Sequence, residues 1–165
     1  MVLSGEEMQL LENLVGRKAE RVIVPVKNDS ISKPVETILV LSKDKGIKID
    51  SCFRTQQAIV TPEAYPQLRV RLIHEIPQYT DGDEIEFSNT GEIVRSVKVI
   101  SERVNTPNDT ASYTKSIHIE LTGSRDVTIT RETFRSPSLR VYEHEPDSPI
   151  EEEKDAIITQ FVQTF

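Results

Sequence analysis

The sequence predicts an α+β fold: a mainly antiparallel β-sheet, or a partly closed barrel or sandwich, with one amphipathic helix at each end of the chain. Three observations carry that expectation. Apolar and polar residues alternate at period two in short runs from Arg21 to about Glu145. Two segments with cap residues and helical apolar spacing bracket those runs. The apolar residues are mostly Val, Ile and Leu, which suit sheet faces. At 165 residues the chain fits a single domain with a real core. The expected division is a helix over about 5–15, a β-rich body over about 21–145 and a helix over about 149–165.

The first helix has a clear start. Ser4 can cap, Glu7 stands three residues on to complete a capping box, and Leu3 can staple onto Met8. Met8, Leu11, Leu14 and Val15 then share one side, and Gly16 suits the stop. "RVIVPV" reads as a short strand, with Pro25 fitting an edge or a bulge. "ETILVL" and "GIKIDSCF" flank the turn "SKDKG". "QLRVRLIHEI" places Leu68, Val70, Leu72, His74 and Ile76 on one face. "DEIEF" and "EIVRSVKVISERV" flank "SNTG" as a second hairpin, "SIHIELTGSRDVTITRETFR" is a third, and "LRVYEHE" is a last strand. At the C-terminus Ser148 can cap, Pro149 suits the first helical position, and Glu151 to Glu153 complement the helix dipole.

The first and third hairpins resemble each other. Ile38 and Val40 match Ile117 and Ile119, Ile47 and Ile49 match Val127 and Ile129, and Phe-Arg follows in both. A duplicated strand unit would place all eight of these residues toward the core. It would also set His118 opposite Leu39 and Glu120 opposite Leu41, which puts His118 and Glu120 on a solvated outer face.

Net charge is −7, which speaks against a nucleic-acid binder, since phosphate recognition needs a basic stripe. No basic segment followed by an apolar run opens the chain, and no run is long enough to span a membrane, so the cytoplasm is the expected location and no membrane partner is expected. A lone Cys52 excludes an internal disulfide, and no electropositive cluster is evident beside it that would activate it. The serines lack a nucleophile elbow, and no glycine-rich loop could cradle a phosphate. No catalytic residues and no cofactor are assigned.

Two function classes remain. The first is a non-enzymatic soluble protein that acts by protein–protein association, adaptor-like or immunity-like, through its C-terminal segment. There Glu143, Glu145, Asp147, Glu151, Glu152 and Glu153 form an acidic patch that would steer a basic partner protein. Ile158, Phe161, Val162 and Phe165 follow at i, i+3, i+4 and i+7, an apolar anchor for a partner groove, for a second copy of the chain, or for the protein's own sheet. The alternative is a small-molecule-binding or metal-binding β-barrel using His74, His118 and His144, with His118, Glu120 and His144 as the best ligand set. No HxH, HExxH or CxxC spacing supports it, so no metal is expected.

Overall fold

The computed structural model describes residues 2–25, 35–55, 64–80, 82–105, 110–123, 125–131, 137–144 and 157–165. Among the described residues one helix, α1 (Gly5–Glu12), precedes eleven strands: β1 (Lys18–Ala19), β2 (Arg21–Val24), β3 (Glu36–Ser42), β4 (Lys45–Thr55), β5 (Ala64–Ile73), β6 (Asp83–Glu86), β7 (Glu92–Asn105), β8 (Thr110–Leu121), β9 (Asp126–Arg131), β10 (Leu139–Tyr142) and β11 (Ile157–Thr164). They form two sheets. One has the order β5-β4-β3-β2-β6; the other runs β1-β7-β8-β9-β10, with β11 also on β7. Every pairing is antiparallel.

The two sheets share one apolar core. Val22, Leu39, Ile47, Ile49, Leu68 and Val70 supply it from the first sheet, and Val97, Val99, Ile117, Ile119, Val127 and Ile129 from the second. Leu3, Leu11 and Leu14 join from the N-terminal segment. The Ser4 capping box forms: its hydroxyl accepts from the Glu7 N–H, and the Glu7 carboxylate accepts from the Ser4 N–H at 2.7 Å. The other Glu7 oxygen accepts from the Val70 N–H at 3.2 Å. Because β5 is the edge strand of its sheet, α1 thereby satisfies an edge donor as well as its own first turn. Leu3 N donates to Thr114 Oγ1 on β8 at 3.2 Å, so the N-terminal segment ties both sheets together.

The α+β expectation is overturned. Strands dominate the described residues, the single helix among them is eight residues long, and residues 157–164 form a strand where the second helix is expected. The physical reason lies in the residues: seven of the nine from Ile157 to Phe165 are β-branched or aromatic. A vacant stretch of the β7 edge was available to pair them.

Three finer expectations also change. "DEIEF" and "EIVRSVKVISERV" do not form a hairpin, because β6 pairs β2 in one sheet while β7 lies in the other. β5 ends at Ile73, leaving His74 exposed after the strand rather than on an apolar face. The two resembling hairpins lie in different sheets and differ in phase. In the second, Ile117 stands opposite Ile129 and Ile119 opposite Val127; in the first, Leu39 stands opposite Ile47 and Thr37 opposite Ile49. Leu39 therefore takes the core position, and Ile38 and Val40 turn to the outer face, where Ile23, Ile73, Ile76 and Tyr79 bury them in a small second cluster.

That outer face also carries ion pairs. Asp50 on β4 accepts from Arg69 Nε and Nη2, each at 2.9 Å, and from Arg71. Burial alone would raise its carboxyl pKa, but the hydrogen bonds and charges of the two arginines win and hold it below the usual carboxylate value. Glu36 pairs with Lys48 and accepts from the Tyr79 hydroxyl at 2.7 Å. Burial and that carboxylate together push the Tyr79 phenol up.

Candidate functional site: the C-terminal strand and its open edge

β7 is fourteen residues long, and its two sides are treated differently. β8 covers one side along most of its length. The other is shared end to end: β1 meets Glu92 and Ile93, and β11 meets Lys98 to Asn105. The register of β11 on β7 runs unbroken from Ile157 opposite Asn105 to Thr164 opposite Lys98. Phe165 and Val97 then exchange both backbone hydrogen bonds, at 2.9 and 3.3 Å.

That last exchange fixes which way each β11 amide points. In an antiparallel ladder, mutually bonded pairs recur at every second residue. Ile157, Thr159, Phe161 and Gln163 therefore turn their N–H and C=O groups toward β7, in phase with Phe165. Ile158, Gln160, Val162 and Thr164 turn theirs to the other side. Among the described residues no strand stands there.

β11 is held by its backbone far more than by its side chains. Ile157, Phe161 and Val162 are 71, 57 and 54% exposed, and only Phe165 packs against the main core. Phe161 borders an open hollow of about 310 Å³ whose other walls include Val2, Leu3, Met8, Val99 and Ser101. One side chain anchors the strand on its other face: Gln160 donates to Glu102 Oε1 at 3.2 Å. Glu102 is buried and already accepts from Tyr113 and Lys115, each at 2.6 Å. Arg131 stacks over the Tyr113 ring, 5.2 Å from its centroid, and burial pushes its guanidinium down to about 10, with Tyr113 opposing the shift.

Three other edges among the described residues are protected in familiar ways. β6 is four residues long and three of them are acids, β10 is equally short, and β5 carries Arg69 and Arg71 and meets α1. β11 has eight residues, no proline and no charge.

The other sequence candidates fall as follows. Ile158, Phe161, Val162 and Phe165 lie on β11, but as strand residues they do not share one face: Ile158 and Val162 point one way, Phe161 and Phe165 the other. Glu143 is exposed just after β10. Glu145, Asp147, Glu151, Glu152 and Glu153 lie outside the described residues. His118 is half-buried on the outer face of its sheet, with Thr128 Oγ1 3.0 Å from Nδ1 and Ser116 Oγ 3.2 Å from Nε2. Glu120 shares that face but accepts from Ser96. His144 is exposed and meets Asp126 at 2.8 Å. His118, Glu120 and Asp126 border an open polar hollow of about 410 Å³ with Arg95, Lys98 and Arg125 on its walls, and His144 is not part of its lining. His74 belongs to the other sheet's edge. Among the described residues no three His, Cys, Asp or Glu side chains converge as metal ligands, and no helix is long and apolar enough to cross a membrane.

The sequence read this segment's apolar residues and missed its conformation. The signal that could have found it was the density of β-branched residues within an uncharged run. Against known proteins the chain matches no family model, no curated relative and no solved structure.

Proposed function

We propose that this protein works by association with another protein, without a reaction of its own, and that the C-terminal strand is the surface it offers. The observation that carries this reading is the open edge of β11, where four successive outward-facing residues present backbone donors and acceptors with no charge to deter a partner strand. The exposed Ile157, Phe161 and Val162 add side-chain area on both faces. The acids that precede the strand in sequence, from Glu143 to Asp155, would speed encounter with a basic surface and make the rate depend on salt.

The small-molecule or metal-binding reading has less support. His74 stands at the end of β5, while His118 and His144 belong to the other sheet and are each engaged by different neighbours.

Val162→Pro tests the proposal sharply. It deletes an outward N–H and no bond to β7, so the strand keeps its place while its edge is blocked. Affinity capture with the wild type and with Val162→Pro should return a partner, another copy included, that only the wild type retains. A partner kept by Val162→Pro and also after deletion of residues 157–165 overturns the reading.

A further inference from the structure

We infer that the occupant of the open edge is β11 of a second copy, paired antiparallel across a two-fold axis that passes beside Phe161. This rests on the association reading above and names its partner.

The first argument is charge. A two-fold axis sets every residue near it against its own copy, so any charge there meets like charge. The chain carries −7 overall and 28% charged residues, yet none from Ile157 to Phe165. Self-pairing through β6 would instead stack Asp83, Glu84 and Glu86 against their copies. Of the edges described, β11 is the one a second copy can approach without that cost.

The second argument is geometric, and it selects a register. Only Ile158, Gln160, Val162 and Thr164 have backbone groups facing outward, so hydrogen-bonded pairs across the axis must join members of that set. Pairing Ile158 with Thr164 and Gln160 with Val162, each in both directions, uses all four residues and gives about eight interchain hydrogen bonds. Shifting the axis to Gln160 sets Thr164 against position 156, beyond the described strand, and a one-residue slip opposes outward groups with inward ones. The favoured register sets Phe161 against its own copy at a non-hydrogen-bonded position, where Cα atoms approach to about 4.5 Å.

The side chains suit that arrangement. On the face of Phe161, Ile157 comes to lie opposite Phe165 and Thr159 opposite Gln163. On the other face, Ile158 meets Thr164 and Gln160 meets Val162. The exposed Ile157, Phe161 and Val162 all gain cross-strand neighbours at once. The joined sheet continues from β10 of one copy to β10 of the other.

The test reads register as well as mass. In a Cys52→Ser background, Phe161→Cys should oxidise to a covalent dimer, because a non-hydrogen-bonded pair lies within disulfide reach. Gln160→Cys and Val162→Cys should not link to their own copies. Sedimentation velocity should show the wild type doubling in mass with rising concentration, and Val162→Pro and Val162→Lys remaining monomers with unchanged far-ultraviolet circular dichroism. Should Val162→Pro misfold, Val162→Lys keeps the test open, since it blocks the edge by charge alone. A wild type that stays monomeric at all concentrations overturns self-pairing; if capture of another protein is still lost in Val162→Pro, association through β11 survives it. A dimer that persists in both Val162 variants, or one that links through Gln160→Cys instead of Phe161→Cys, overturns the proposed pairing. Loss of neither self-pairing nor capture on deleting residues 157–165 overturns both readings together.

Discussion

The two ends of the chain both run along the edges of sheets, and they treat those edges in opposite ways. The N-terminal segment closes one: α1 lies by β5, Glu7 accepts from the Val70 N–H, and Leu3, Leu11 and Leu14 are buried in the shared core. The C-terminal segment covers part of β7 and in doing so presents a new edge, with its large apolar side chains left mostly exposed. Local chemistry explains the contrast. A capped helix needs no neighbouring strand to complete its backbone hydrogen bonds, so α1 turns its apolar side chains to the core and Glu7 to both its own first turn and the Val70 donor. A strand always leaves half of its backbone groups for whatever comes next. One end completes the fold; the other, on the proposed reading, is where a partner strand continues it.

The comparison breaks first at Leu11. Leu11→Ala removes a fully buried side chain and should cost about 2–5 kcal/mol in denaturant unfolding. A loss below about 1 kcal/mol would show that α1 is not part of the core. Glu7→Ala comes next. It withdraws the partner of two backbone donors, at Ser4 and Val70, and should cost about 1–3 kcal/mol. Glu7→Gln should recover part of that, because an amide oxygen can still accept from one of them. Equal losses for the two variants would remove the edge-closing role of this side chain.

Much of this contrast was legible at the N-terminus and little at the C-terminus, for a physical reason. Ser4 and Glu7 make a local motif whose partners lie three residues apart, so the chain's neighbours alone decide it. The turns between β3 and β4 and between β8 and β9 are equally local. The C-terminal segment is decided from far away. Ile158, Phe161, Val162 and Phe165 fit helical spacing, but the pairing that makes them a strand comes from Lys98 to Asn105, more than fifty residues earlier in the chain. The same distance effect misplaced β6, whose partner is β2 and not its neighbour β7. Ile38 and Val40 show a further limit. Both are buried, as expected, yet a period-two pattern with apolar residues on both faces cannot tell which face meets the main core. Of the proposed site, sequence marked the residues Phe161 and Val162 and their lack of charge; the open edge itself needed the sheet.

The β5 edge also carries an acid-sensitive ion pair that the β11 edge lacks. Asp50 is depressed in the folded state, so its stabilisation is present above the unfolded carboxylate value of about 3.9 and is lost as pH falls through the lower folded value. Asp50→Asn should therefore cost about 1–2 kcal/mol at neutral pH, held down by the solvent exposure of Arg69 and Arg71. Wild type and variant should converge in stability only as pH falls through the depressed folded value of the Asp50 carboxyl. A gap that persists unchanged into acid would mean that Asp50 acts through packing rather than charge.

The smallest stability effect should come from the largest residue on β11. Phe161 retains more than half of its exposure and borders an open hollow of about 310 Å³, so it makes few packing contacts. Burying a whole phenylalanine contributes roughly 1.5–3 kcal/mol, so Phe161→Ala should cost about 1 kcal/mol or less in a dilute, monomeric sample. The comparison with Leu11→Ala then tests the proposed pairing: a fully buried leucine should matter within one chain, and the exposed phenylalanine only where two chains meet. Concentration separates them. The cost of Leu11→Ala should be the same at any protein concentration, whereas the cost of Phe161→Ala should grow as concentration rises and the wild type gains the stability of its pair. If unfolding of Phe161→Ala stays within about 1 kcal/mol of the wild type even at the highest concentration, Phe161 is not at the centre of an interface. If it costs as much as Leu11→Ala in the most dilute sample, β11 belongs to the core, and the two ends of the chain are alike after all.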